Sequence, residues 1–376
     1  RLLIVTGGAA LASLIASLSG VATTARLLAE VPWDVLVILV GLGILSEVFV
    51  ASRLFGVLAA RITRVSRADP RRLAVLFALG MYLVSGLVNN LTALVLVLPV
   101  LLILFKLVGV TQRYVSWTLG LVLIACNLGG AATPIGDFPA ILLLGRGSMG
   151  FPAYLERAAP ATAVALVVLL CVIALLRTER GTRRDPLSAR LSLSVMDRLY
   201  RNVRLDWGAL VPATVALTAM LAAWLFVPAR FNVGPELICW IGAGTALVAQ
   251  PRLGEKLLRR RVDVEAALFL LALFVMVGAV RRSGVFEEVA RALAALPLSP
   301  EGQLLVFLGA AGILTGIFSA GPGMAALLDV ADALARQLPP EAVYVGLALS
   351  VCAGSSLFLT AATSGPMAQA LTERAA

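Results

Sequence analysis

Two polar interruptions of apolar sequence constrain this chain more than any other feature. Asn89-Asn90-Leu91-Thr92 splits an apolar stretch over 73–108, and Ala132-Thr133-Pro134-Ile135-Gly136-Asp137 splits another over 115–145. Weaker counterparts lie around 319–323 and 354–365. A helix broken in hydrocarbon bares peptide N–H and C=O groups, which is tolerable only where protein, water or a bound solute satisfies them. Helices broken at matching places in two halves point to a substrate and ion site near the bilayer midplane, as in secondary transporters.

Runs of roughly 17–25 apolar residues, long enough to span a bilayer, recur from end to end of the 376 residues. They predict an all-α polytopic membrane protein with a single integrated domain, and the mean hydropathy of +0.97 agrees. The first run lacks a basic leader, so it is expected to be a span and not a cleaved signal. The net charge of +10 sits in short loops between apolar runs, which argues for membrane orientation and against a nucleic-acid partner. There is no His, which removes the commonest proton shuttle and metal ligand. Cys126, Cys171, Cys239 and Cys352 lie in apolar sequence without CxxC spacing and read as small buried hydrophobes. No nucleophile–base pair suggests an enzyme. No cofactor is expected beyond Na⁺ or H⁺ as a coupling ion.

Hydropathy and turn punctuation place spans near 3–24, 33–52, 115–145 (broken), 160–177, 207–227, 235–250, 264–280 and 343–372 (broken). The regions 73–108 and 302–338 read as re-entrant hairpins that enter and leave on one side. With that assignment the Arg-rich loops 61–72, 177–204 and 252–261 all fall on the side of the N-terminus. The positive-inside bias makes that side cytoplasmic, in a bacterial-type inner membrane. Residues 53–62 and 284–296 mix charged and apolar positions at helical spacing and are expected to lie along the interface.

The halves correspond at an offset of about 230 residues. Asp34 with the Ser52–Gly56 segment matches Asp263 with Arg282–Phe286, Gly86–Ala93 matches Gly316–Gly323, and Cys126 matches Cys352. The first copy enters its Asp34 span from outside and the second enters its Asp263 span from inside, so the repeats are inverted. Residues 1–177 form the first repeat, 178–234 an Arg-rich loop and linking helix, and 235–376 the second repeat.

Each break offers a chemistry. A restarting helix presents free N–H groups and a positive dipole end to an anion, while a helix that stops presents carbonyls to a cation. At the first hairpin tip, Ser85, Asn89, Asn90 and Thr92 supply neutral oxygens suited to Na⁺, with amide N–H groups left for an anion. Such Asn side chains otherwise cap their own backbone. Asn127, Gly130, Thr133 and Asp137 crowd the first broken helix. Asp137 is either the N-cap of a short helix over 138–145, a carboxylate that titrates or binds a cation during transport, or both. In the second repeat Ser319 and Gly321 mark the tip, and Ser355, Thr360, Ser364 and Gly365 the broken helix. These hydroxyls either serve the site or bond back to helix carbonyls. Asn90, Thr92, Thr133, Ser319, Gly321, Ser364 and Gly365 are assigned to the anion. Ser85, Asn89, Asn127, Gly130, Asp137, Ser355 and Thr360 are assigned to the coupling ion. Glu47 is a secondary candidate, set against snorkelling to the interface. Asp329 and Asp332 read as solvated.

The motifs Arg-Ala-Asp-Pro-Arg-Arg (67–72), Leu-Val-Asn-Asn-Leu-Thr-Ala (87–93), Gly-Gly-Ala-Ala-Thr-Pro-Ile-Gly-Asp (129–137), Ala-Gly-Ser-Ser (353–356) and Thr-Ser-Gly-Pro (363–366) carry a family likeness. At these residues the chain resembles the ion transporter superfamily of citrate and dicarboxylate–sodium symporters, arsenite permeases and one type of sodium–proton antiporter. The resemblance implies an inverted-repeat fold, opposed re-entrant hairpins, and a homodimer working by elevator motion. In the symporters, Ser-Asn-Thr tips bind Na⁺ and substrate carboxylate together. Asn89-Asn90-Leu91-Thr92 approximates that motif, whereas Ser319-Ala320-Gly321-Pro322 lacks its Asn and Thr, which makes proton coupling through Asp137 an option. The expected function is cation-coupled transport of a small anion, carboxylate or oxyanion, by alternating access. The alternative is sodium–proton antiport without an organic substrate.

Overall fold

A computed structural model of the protein describes residues 2–66, 69–88, 90–108, 110–175, 194, 204–227, 233–260, 264–318 and 320–356. Among them every regular element is a helix. The first half holds α1 (Leu2–Leu18), α2 (Thr24–Ala29), α3 (Trp33–Ala51), α4 (Leu54–Ser66), α5 (Pro70–Ser85), α6 (Asn90–Val108), α7 (Gln112–Ala132), α8 (Phe138–Gly145) and α9 (Phe151–Leu175). The second holds α10 (Trp207–Phe226), α11 (Pro235–Val248), α12 (Pro251–Arg260), α13 (Val264–Arg282), α14 (Val285–Ala294), α15 (Pro300–Phe318), α16 (Ala320–Leu334) and α17 (Pro340–Ser355). Most of the Arg-rich linking loop lies outside the described residues.

Both polar interruptions are helix breaks. α5 stops at Ser85 and α6 starts at Asn90; α7 stops at Ala132 and α8 starts at Phe138. α5 and α6 pack on one another, and α4 touches both, so the two limbs return to one end of the bundle. In the second half α15 and α16 pack together and α14 touches both. α15 is long and apolar enough to cross a membrane; the return of α16 along it is what makes the pair a hairpin.

A two-fold correspondence shows in which helices meet. α5 lies along α7, and its counterpart α15 lies along α17. Across the repeats, α3 packs on α11 and α13 packs on α1, so each copy's later span rests on the other copy's earlier one. The turns agree as well. α13 bends by 63° into α14 at Gly284, whose φ is +79°, and α3 passes into α4 at Arg53, whose φ is +61°. Glycine adopts this left-handed conformation freely, whereas a residue with a Cβ is strained there. Arg53→Gly is therefore expected to raise stability by up to about 1 kcal/mol, read as a higher unfolding temperature in detergent. A lower one would mean that the Arg53 side chain holds the turn.

Two boundaries differ from expectation. The first span ends at Leu18, because Gly20 turns the chain at φ +71° and Thr23 caps the separate α2 through Arg26 N–H. α9 begins at Phe151, nine residues before the expected start, and runs through Pro160. The proline removes only one intrahelical bond, and Tyr154, one turn into the helix, is anchored at Ala131 O (3.0 Å). Leu3 (87% exposed), Val164 (67%) and Trp240 (66%) belong to apolar belts around the bundle that water would not tolerate over such an area and lipid does.

Candidate functional site

The first hairpin tip lies directly on the α7–α8 break, and glycines allow the approach. A Cβ at Gly129 would stand 2.1 Å from Tyr82 O, one at Gly130 2.4 Å from Asn90 Oδ1, and one at Gly136 2.7 Å from Ser85 O. Hydrogen bonds then join the two elements. Ser85 Oγ shares its one proton between Cys126 O (2.7 Å) and Asn90 Oδ1, and Thr133 Oγ1 donates to Gly86 O (2.6 Å). The Cys126 thiol points at Asn90 O (3.6 Å). Ser85, Asn90 and Asn127 are buried while Thr133 and Asp137 are half-buried. Each bond contributes about 1 kcal/mol, and leaving one of these buried groups unpaired would cost about 1–3 kcal/mol.

The second repeat enters through the end of α17. Asn127 Nδ2 donates to Ser356 Oγ (2.8 Å) and Ser355 Oγ (3.4 Å). Cys352 Sγ donates to Asn127 O (3.0 Å) and faces Asp137 Oδ2 at 3.9 Å. α7 and α17 therefore meet at Asn127 and Cys352, near their C-terminal ends. From the other side Gly321, beside the second hairpin tip, lies against Phe138 at the start of α8; a Cβ there would be 3.6 Å from the Phe138 ring.

Asp137 caps α8, accepting Phe138 N–H at 2.9 Å on Oδ1, so the capping role holds. Its Oδ2 stays turned toward Cys352. Of the expected residues, Ser85, Asn90, Asn127, Gly130, Thr133, Asp137 and Ser355 come together in one cluster, with Gly321 at its edge. Glu47 sits half-buried on α3, one turn from its end. The expectations for Asn89, Ser319, Thr360, Ser364 and Gly365, and for the side chain of Thr92, lie outside the described residues. Two expectations are corrected: Asp329 is ion-paired with Arg281 (2.6 Å) and Arg146 (3.6 Å), and Asp332 accepts the Tyr344 hydroxyl (2.8 Å). Sequence reasoning missed Tyr154, whose hydroxyl holds the end of α7; a phenol in an apolar helix beside charged Glu156 and Arg157 was the available signal.

The cluster combines neutral oxygens, one carboxylate and the restarting ends of α6 and α8. Among the described residues no three His, Cys, Asp or Glu side chains gather as a transition-metal site would require. Neutral oxygens beside one carboxylate suit a hard monovalent cation or a proton, and free N–H groups at helix starts suit an anionic oxygen.

A citrate transporter family model (CitMHS) matches residues 2–354. An uncharacterized transporter of Mycobacterium tuberculosis is 30% identical over 353 residues, covering 92% of this chain and 80% of that one. The sodium/proton antiporter 1 of Arabidopsis thaliana is 26% identical over 293 residues, covering 77% of this chain and 48% of the plant protein. Among solved structures, the YdaH transporter of Alcanivorax borkumensis shares the fold, with a TM-score of 0.52 at 18% identity over 92% of this chain and 79% of that one.

Proposed function

The chain belongs to the citrate transporter family, and from that premise we propose that it is a cation-coupled secondary transporter of a small carboxylate or oxyanion. One observation carries the reading: the first hairpin tip, the α7–α8 break and the end of α17 gather Ser85, Asn90, Asn127, Thr133, Asp137 and Ser355 into a single polar cluster inside an apolar bundle. The coupling ion, Na⁺ or H⁺, binds among Ser85, Asn127, Gly130 and Asp137. The anion faces the starts of α6 and α8. Access alternates between the two sides as the hairpins move against α1, α3, α11 and α13. In this reading the protein is a homodimer in a bacterial inner membrane, with α4 and α12 on the cytoplasmic side.

The test is citrate uptake into proteoliposomes under an imposed Na⁺ or pH gradient. Uptake should require one of the gradients, and Asn90→Ala should lower it sharply, because that side chain takes the Ser85 hydroxyl at the hairpin tip and lies against Gly130. Failure of both gradients to drive any carboxylate or oxyanion would overturn the reading. Asp137, the one carboxylate in the cluster, favours sodium–proton antiport as a second reading. In that case a Na⁺ gradient alone would change lumenal pH, read with a trapped dye, with no anion taken up.

A further inference from the structure

A second polar cluster stands apart from the central one, at the end of the bundle that carries α14. Arg146 follows the last residue of α8, Arg281 closes α13, and Asp329 lies midway along α16. Arg281 Nε donates to Asp329 Oδ2 at 2.6 Å, while Arg146 Nη2 stands 3.6 Å from Asp329 Oδ1. Among the described residues this is the one carboxylate paired with either cation. A guanidinium has five N–H donors, so most of this donor capacity goes unused by Asp329. Both arginines line a small cavity whose walls include Glu30, Leu142, Phe274 and Ala325. Arg282 engages Glu30 (Nε–Oε1 3.0 Å), and Asp332, one turn beyond Asp329, takes the Tyr344 hydroxyl. Each of those acids thus has a partner of its own, Glu30 in Arg282 and Asp332 in Tyr344.

We propose that this cavity is an anion-docking site, where Arg146 and Arg281 take a carboxylate or oxyanion and Asp329 stands in for it when none is present. Two guanidinia converging on one carboxylate is the arrangement by which proteins recognise such groups. The Asp329 carboxylate competes with an arriving anion for the two guanidinia, so its own charge opposes docking. The arginines are 24% and 32% exposed and the aspartate 18%, so water screens them only in part. The position suits entry. Along α8, Arg146 leads through Leu142, in the cavity wall, to Phe138, whose ring is 6.3 Å from that of Phe274. Those eight residues place the docking site about 12 Å from the start of α8, where Asp137 faces the central cluster. This site rests on the proposed anion transport and names where the anion is first held.

The test is isothermal titration of citrate into the purified full chain in nanodiscs at constant ionic strength. Arg146→Gln and Arg281→Gln should each weaken binding by about tenfold, the loss of one charge-assisted contact. Asp329→Asn should tighten it, because the internal competitor is gone. Should an arginine variant fail to fold, Asp329→Asn decides alone, since a merely structural ion pair predicts unchanged or weaker binding. If all three variants bind as wild type while Asn90→Ala loses binding, the docking site is overturned and the central site stands. If wild type binds no citrate and no other carboxylate or oxyanion, the anion reading itself fails and this site with it.

Discussion

Alanine at Gly129 should uncouple the first hairpin from the first broken helix. The added Cβ would lie 2.1 Å from Tyr82 O and 2.7 Å from that residue's carbonyl carbon and Cα. All three are backbone atoms of α5, so no side chain can swing aside and the whole limb must shift. Forced overpacking of this kind costs about 1–3 kcal/mol, and contact with backbone puts this position at the upper end. It would also pull Thr133 from Gly86 O and Ser85 from Cys126 O. The expected result is a large fall in unfolding temperature together with loss of transport. Gly354→Ala should behave alike, since its Cβ would meet Gly312 O at 2.1 Å in the second repeat. Gly120, on the same helix as Gly129, has nothing within 4 Å of an added Cβ. Alanine there should be neutral, or stabilising by up to about 1 kcal/mol through helix propensity. A Gly129→Ala protein as stable as Gly120→Ala would mean that α5 and α7 do not pack this closely.

Asp137→Asn separates architecture from coupling. Asparagine caps a helix about as well as aspartate, so α8 should keep its start and stability should move by no more than about 0.5 kcal/mol. The charge is lost while the shape and the acceptor for Phe138 N–H remain. Gradient-driven transport should then fall to the level of empty liposomes at every pH. Asp137→Ala should add a stability loss of about 1 kcal/mol as the cap disappears. Unchanged coupled transport in Asp137→Asn would place the coupling ion on neutral oxygens alone and leave Asp137 a cap.

The breaks were readable because they are written in local chemistry. Pro134 and Gly136 disfavour continuation of the helix, and Asp137 is a strong cap ahead of an apolar run. The start of α8 at Phe138 follows from those residues alone. The duplication was readable too, because Gly86–Ala93 and Gly316–Gly323 both interrupt apolar sequence at nearly the same offset. The same reasoning erred at α9, where Glu156, Arg157 and Pro160 look like a loop. Charges near a helix end and a proline after its second turn are tolerated once the surrounding helices pack.

Sequence by itself determined that this chain lies in a bilayer, where its helices break, and which residue types stand at the breaks. Those are consequences of hydrophobic length and backbone freedom within a few residues. Only the tertiary structure decided which residues meet: Asn127 with Ser355 and Ser356, Cys352 with Asp137, and Asp329 with Arg281 and Arg146. Such pairings join residues dozens to hundreds of positions apart. They depend on how helices pack in three dimensions, and a hydropathy pattern, which fixes a segment's depth and face, carries no record of its neighbour.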